Sequence, residues 1–382
     1  MEYRILGNTG LSVSVIALGC EGFVGKTEEQ IHLEMDFAIS KGINFIDMYA
    51  SNPDLRSNIG KALAERRQQF IIQGHLCTTW ENDQYLRTRD VEKTIASFED
   101  QLTRLHTDYL DIGMIHYVDS EEDFHEVFNG PIIRLALRLK EEGKIRHIGL
   151  SSHNPIVAKL AVESGLIEVL MFSINPCYDL QPPSENVDDL WADESYAHSL
   201  ENIDPEREKL YELCEQKGIG LDVMKVYGGG DLLSETNSPF GKAMTPVQCI
   251  EYALTRPAVA SVMVGCKSCD EMQAAINWCN ATKEEKDYTP VMAGMEKFSW
   301  QGHCMYCGHC APCSVGIDIA SVNKYYNLTI AQNEIPETVR EHYKTLSHHA
   351  SECIQCGQCE TNCPFGVAII EQMEKAAEKF GY

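Results

Sequence analysis

Residues 109–152, YLDIGMIHYVDSEEDFHEVFNGPIIRLALRLKEEGKIRHIGLSS, decide the fold. The stretch opens on one apolar run, YLDIGMIH (109–116), and closes on another, IRHIGLSS (145–152), with helical sequence between them that stops at Gly143. Short apolar runs separated by helix-length segments read as parallel strands buried on both faces. Working outward, the unit recurs. Before it come SVIALGC (14–20), NFIDMY (44–49) and FIIQGHL (70–76). After it come EVLMFSIN (168–175), GLDVMKV (220–226) and ASVMVGC (260–266). The clearest helices between them are TEEQIHLEMDFAISKG and DVEKTIASFEDQLTRLH, each with an acidic first turn. Gly42, Gly143, Gly165 and Gly218 stand where helices should stop. Eight strand–helix units fit a (β/α)8 TIM barrel, typically about 250 residues long. A doubly wound sheet is the competitor, but no G-x-G-x-x-G follows the first strand.

In a barrel the reactive groups gather at the C-terminal ends of the strands. Residues 1–13 form a hairpin around Gly7-Asn8 and Thr9-Gly10. Two acidic interruptions, 117–130 and 179–205, emerge at the reactive face, either as a lid or as surface insertions. After residue 282 the pattern changes. We therefore expect a barrel over 1–282 and a small, α-helical second domain over 283–382.

The formal net charge of −25 argues against nucleic acid, which needs a basic face. No apolar stretch approaches the roughly 20 residues that span a bilayer, and no secretory leader is evident, so a cytoplasmic location is expected. The chain has 16 cysteines, too many to ignore and badly placed for a disulfide framework. Half fall in two dense runs. The first is Cys304-x2-Cys307-x2-Cys310-x2-Cys313 and the second Cys353-x2-Cys356-x2-Cys359-x3-Cys363-Pro364. The second has the bacterial ferredoxin spacing, in which three thiolates hold one cubane and the fourth reaches the other cluster. Carried over, one [4Fe-4S] cluster takes Cys304, Cys307, Cys310 and Cys363, and the other takes Cys353, Cys356, Cys359 and Cys313. The first run departs from the pattern, with a final gap of two residues and Ser314 in place of proline. Zinc also takes C-x2-C pairs, but two quartets, one ending in Cys-Pro, favour iron–sulfur.

Several segments resemble the aldo-keto reductase superfamily: YRILGNTGLSVSVIALG, GINFIDMY followed by SNIGKAL, LTRLHTDYLDIGMIHYVD, GKIRHIGLSSHN and VMKVYGGGDL. The tail resembles the extension of the subgroup with a 4Fe-4S ferredoxin-like domain. The resemblance implies carbonyl reduction with NADPH by an Asp–Tyr–Lys–His set. Matched by position, Asp47 and His116 are the Asp and His, but Asn52 stands where the Tyr should fall, and Gly74 or His75 where the Lys should. Asn has no titrating proton to give, so His75, Tyr49 and Lys225 become the replacement candidates. For the nucleotide, the resemblance points to Ser151 and Asn175 at the nicotinamide amide. Lys225 with Gly228, Gly229 and Gly230 falls near the pyrophosphate, and Gly265 and Lys267 near the 2′-phosphate. The family's adenine-contacting Glu-Asn pair reads Ala274-Ala275 here.

The leading expectation is an iron–sulfur oxidoreductase acting on a small oxygenated organic molecule. Two [4Fe-4S] clusters would link it to a ferredoxin- or flavodoxin-type carrier or to NADPH. Alternatives are a non-redox lyase or isomerase with structural clusters, and a non-enzymatic electron-transfer subunit.

Overall fold

The protein, seen in a computed structural model, is described over residues 1–185, 203–238, 240–288, 291, 304, 310–330, 335, 337–363 and 366–382. Eight parallel strands close into a barrel: β3 (Ile16–Gly19), β4 (Phe45–Met48), β5 (Ile71–Leu76), β8 (Leu110–Ile115), β9 (Ile145–Ser152), β10 (Val169–Ser173), β11 (Gly220–Met224) and β12 (Val259–Gly265). Seven lie within the apolar runs read from the sequence, and β12 begins one residue before its run, at Val259. The ring closes where Val262 pairs with Ile16 and Gly265 with Gly19. Strands closed in this way leave no edge exposed.

Side chains alternate along each strand, so every second residue enters the barrel. There Ala17, Phe45, Ile112, Met114, Val169, Met171 and Met263 form one apolar plug, with Leu6 and Val13 from the N-terminal hairpin. That hairpin is the expected one: β1 (Tyr3–Ile5) pairs antiparallel with β2 (Ser12–Ser14). It seals the end of the barrel away from the reactive face. Gly7, at φ +52°, lies so close to Gly220 that a Cβ would come within 2.3 Å of the Gly220 nitrogen, so only glycine fits. The opposite faces of the strands pack a larger core against the helices.

Helices α1 (Glu28–Ser40), α2 (Pro53–Leu63) and α3 (Val91–Arg104) follow the early strands. Each has a side-chain cap at its start, from Thr27, Asn52 and Asp90 respectively, which satisfies an otherwise unpaired N–H. Residues 117–130 are not an irregular insertion. Ser120 caps a helix, α4 (Glu121–Asn129), whose acidic first turn complements the helix dipole. Most of the second interruption, 186–202, lies outside the described residues.

One element was not anticipated. Between β5 and α3 the chain makes a hairpin, β6 (Thr78–Glu81) against β7 (Gln84–Arg87), turning on Asn82 (φ 52°) and Asp83 (φ 59°). Ser51 Oγ donates to Thr79 O at 2.7 Å, and Arg89 donates to His116 O (2.9 Å) and Tyr117 O (2.7 Å), fastening both ends across the barrel mouth.

Residues 283–288 still lean on the barrel: Gln248 Nε2 donates to Asp287 O, and Tyr288 packs edge-on against Tyr252. Beyond them, helices Ile319–Ile330, Glu337–Lys344 and Ile369–Phe380 build the small C-terminal unit, where the buried Tyr343 ring stacks on Phe380. Among the described residues no helix is long and apolar enough to cross a membrane.

Candidate active site and cysteine cavity

Four polar side chains from three strands and the hairpin join in a single line at the barrel mouth. The parallel register sets Asp47 beside Gln73 and His75 beside Met114, two residues before His116. His75 Nε2 lies 2.9 Å from Asp47 Oδ1, and His75 Nδ1 lies 2.7 Å from His116 Nδ1. His116 Nε2 in turn meets the phenol of Tyr85 from the hairpin. Asp47, His75 and His116 are all buried. Gln73 Nε2 also donates to Asp47 Oδ1, at 2.9 Å.

The line has a sense. With Asp47 ionised, His75 Nε2–H donates to it, His116 Nδ1–H donates to His75, and Tyr85 O–H donates to His116. With one proton added at Asp47, every hydrogen bond reverses and the phenol hydrogen is free to point away. Two facing Nδ1 atoms share one hydrogen in either state. The string therefore moves one proton between Asp47 and Tyr85 without moving a heavy atom.

Burial pushes the Tyr85 phenol well above its usual range, and Arg87 and Arg89 offset this only in part. Tyr85 is thus a proton donor at neutral pH rather than a phenolate. Tyr49 is raised likewise, first by burial and then by the carboxylate of Glu21, and its ring stacks on His116 at 5.7 Å. Beneath them Asp222, fully buried on β11, is pushed well up by burial and then by Asp47.

The other sequence candidates are placed differently. Asn52 is the N-cap of α2, its Oδ1 accepting from Leu55 N at 2.8 Å. Lys225 follows β11 with φ 59°, and its carbonyl accepts from Asn175 Nδ2. Asn175 Oδ1 accepts from Cys177 N and Tyr178 N, so both ends of this amide serve the backbone. Ser151 Oγ is buried without a partner among the described residues and is the one orphan donor facing a nicotinamide role. Gly228, Gly229 and Gly230 turn with φ of 58°, 74° and 108°, and Gly265 is open to solvent. Lys267 N donates to Glu271 Oε2, while its carbonyl receives Lys26, which also pairs with Glu34. With Asn175 engaged, two carboxylates near the phosphate region and Ala274-Ala275 unable to bond, the residues fit a nicotinamide dinucleotide only in part.

The thiols are better matched to their group. Cys313, Cys353, Cys356 and Cys359, one of the two expected quartets, line a single narrow pocket together with Ile317, Ile319, Ile370 and Met373. Gln355 N donates to Cys353 Sγ at 3.4 Å, and Ser314 Oγ lies 3.6 Å from Cys356 Sγ. The Gln358 N–H and Ser314 hold the Cys356 thiol below its usual range, whereas burial pushes Cys359 up to about 11. Among the described residues no three His, Cys, Asp or Glu side chains gather around one metal ion. A cubane takes one thiolate per iron around its outside, so thiols spread on a cavity wall suit a cluster better than a single ion. Of the other quartet, Cys310 is buried, and Cys304 and Cys363 are half-buried. Cys307 lies outside the described residues.

Known families agree with this arrangement. The model of the aldo/keto reductase family matches residues 16–248. The chain belongs to that family. It is an oxidoreductase by that membership, and the model of the 4Fe-4S dicluster domain matches residues 300–367, so it is one that carries an iron–sulfur domain. Among curated relatives of this aldo/keto reductase is Uncharacterized oxidoreductase YqkF of Bacillus subtilis (strain 168). It is 28% identical over 305 residues, which cover 75% of this chain and 94% of the relative. Aldo-keto reductase YhdN of the same organism is 30% identical over 161 residues, 40% and 47% of the two chains. The solved aldo-keto reductase AKR11C1 from Bacillus halodurans (holo form) superposes with a TM-score of 0.60 at 23% identity, covering 79% of this chain and 99% of its own. That likeness speaks for the fold.

Sequence reasoning missed Tyr85, Gln73 and Asp222. Gln73 lies two positions from His75 on its strand, so strand alternation pointed to it, whereas Asp222, three positions before the candidate Lys225, had no such signal. Tyr85 had a weaker signal, the turn pair Asn82-Asp83 between TTW and YLR.

Proposed function

We propose that this aldo/keto reductase reduces a carbonyl on a small oxygenated organic substrate at the barrel mouth. When bound, two [4Fe-4S] clusters would supply the electrons in place of a family-type hydride step. The observation that supports it is the line Asp47–His75–His116–Tyr85. A phenol on a histidine restores, from another point of the chain, the proton donor that Asn52 does not provide. The family's lysine is absent, but a phenol backed by a proton relay does not need a lowered pKa to deliver. It needs a path for reprotonation, and His116, His75 and Asp47 form one.

Two thiolate quartets hold the clusters in this reading: Cys313, Cys353, Cys356 and Cys359 in one, and Cys304, Cys307, Cys310 and Cys363 in the other. When bound, each cluster stores and releases single electrons. Converting a carbonyl to an alcohol consumes two electrons and two protons. Tyr85 gives one proton to the carbonyl oxygen, the relay refills it, the second proton goes to the reduced carbonyl carbon to form the C–H bond, and Tyr49 with His116 forms the aromatic wall that excludes water. An external one-electron carrier of ferredoxin or flavodoxin type, in a reducing cytoplasm, resupplies the chain. NADPH is a weaker candidate, since only Ser151 and the glycine run are disposed for it.

The test is anaerobic reconstitution followed by turnover on a panel of aldehydes, ketones and quinones with a chemically reduced carrier. Tyr85→Phe, which keeps the ring and loses the hydrogen, should lower the rate by about 100-fold or more with iron and sulfide content unchanged. Equal rates for the variant and the parent would remove Tyr85 as donor.

A further inference from the structure

The hairpin that carries Tyr85 also holds a cluster cysteine. The residue before Tyr85 is Gln84, which is buried. Its Nε2 donates to the Cys313 carbonyl at 3.0 Å, and its Oε1 accepts from the Cys313 N–H at 2.6 Å. One primary amide thus grips both main-chain polar groups of one residue, 229 positions away in the chain. A side-chain amide can make this two-point contact only with a backbone held in a fixed orientation. Cys313 is the member of the first cysteine run that shares the cavity of Cys353, Cys356 and Cys359. Cys356, on the same cavity, is exposed. Along one short strand, then, adjacent residues reach opposite ways: Gln84 to a cluster ligand and Tyr85 to His116. Ser51 holds β6 at Thr79, and Arg89, two residues past β7, holds the chain leaving the hairpin to His116 O.

We propose that Gln84 is a positioning residue that makes the Cys313–Cys353–Cys356–Cys359 quartet the one that exchanges electrons with the barrel site. The Gln84–Tyr85 peptide is the bridge, and the quartet containing Cys304, Cys310 and Cys363 stands one transfer further away. The inference rests on the cluster-bearing reading above. When bound, a reduced cluster would supply one electron per transfer, returning to its oxidised state, and the acceptor would be a carbonyl. Two such transfers with two protons complete the reduction of a quinone to a hydroquinone.

The experiment uses the full chain, reconstituted anaerobically and reduced with dithionite, with excess reductant removed. An aromatic ortho-quinone is the acceptor. Reoxidation is followed by single-turnover absorbance, and both clusters by EPR-monitored redox titration. In Gln84→Ala, reoxidation should slow by about tenfold to a hundredfold, the range seen when a residue supporting a metal ligand is lost. One EPR signal should shift in shape and midpoint potential, and it should be the signal that Cys313→Ser or Cys359→Ser also perturbs. The other signal, the iron and sulfide content and quinone binding by tryptophan fluorescence should be unchanged. Gln84→Glu, which keeps the acceptor for the Cys313 N–H, should recover part of the rate. A Gln84→Ala rate equal to the parent's, a shift confined to the other signal, or a reduced parent that the quinone does not reoxidise would each overturn the inference. If Tyr85→Phe and His116→Ala slow reoxidation while Gln84→Ala does not, the inference fails and the proposed function stands. Protein that takes up no iron and sulfide removes both.

Discussion

Asn52 and Tyr85 show how a family position can lose its phenol while another phenol, from elsewhere in the chain, meets the same histidine. Asn52 sits at the start of α2 with its carbonyl oxygen on Leu55 N, a role in which Asn is among the best residues. Asn52→Ala should therefore destabilise the protein by about 1 kcal/mol, read as a lower midpoint in urea, while the Tyr85–His116 contact stays in place. Asn52→Tyr should not restore a family-type reductase, because no lysine stands beside that position and the cap is lost. Nicotinamide-dependent turnover by that variant on simple aldehydes would contradict this. The missing catalytic pair was legible in the sequence as an absence at 52 and 74–75. Its replacement was not, since nothing in the spacing ties Tyr85 to His116.

At the level of elements, the barrel strands could be read because burial on both faces leaves continuous apolar runs, of which YLDIGMIH is the plainest. The β6–β7 hairpin could not be read so easily. Its strands are four residues each and half polar, and Gln84 and Tyr85 owe their burial to Cys313 and His116 rather than to any local pattern. Helix α4 was hidden for a different reason: acidic residues that read as a surface loop are the ones that favour a helix N-terminus. The hairpin turn is open to improvement. Asn82 and Asp83 both adopt positive φ, a conformation in which glycine is favoured at the second position. Asp83→Gly should stabilise the protein by about 0.5–1 kcal/mol, seen as a higher thermal midpoint, and should also protect the hairpin amides from hydrogen exchange. A lower midpoint would mean that the aspartate side chain holds the turn.

For the molecule as a whole, acid should act through buried carboxylates. Asp119 is the clearest: burial raises it, but His153, at 2.8 Å, and Ser152 more than offset this and hold it down at about 2. A carboxyl whose folded value lies below its unfolded value of 3.8 stabilises the fold fully above pH 4 and loses that contribution as the pH falls through 2. The contribution is about 2 kcal/mol. In His153→Ala the midpoint in urea should fall at pH 7, and the difference from the parent should shrink between pH 4 and pH 2. A difference independent of pH would locate the effect in packing instead. Removal of iron should divide the molecule along its two families. Chelation under air should melt the helices after residue 310, whose core is small, and leave the barrel's circular dichroism in place. Loss of both signals together would show that the barrel depends on the clusters.

The two imidazoles that face each other through their Nδ1 atoms leave room for a single hydrogen between them. Such a conduit is a turnstile: once it has passed one proton outward it points the wrong way until every bond along it has flipped back. On the proposed reduction, which takes two protons per product, the site would have to wait for that reset, and the two half-reductions would be separated in time. In heavy water the pause should lengthen while the first electron still leaves promptly.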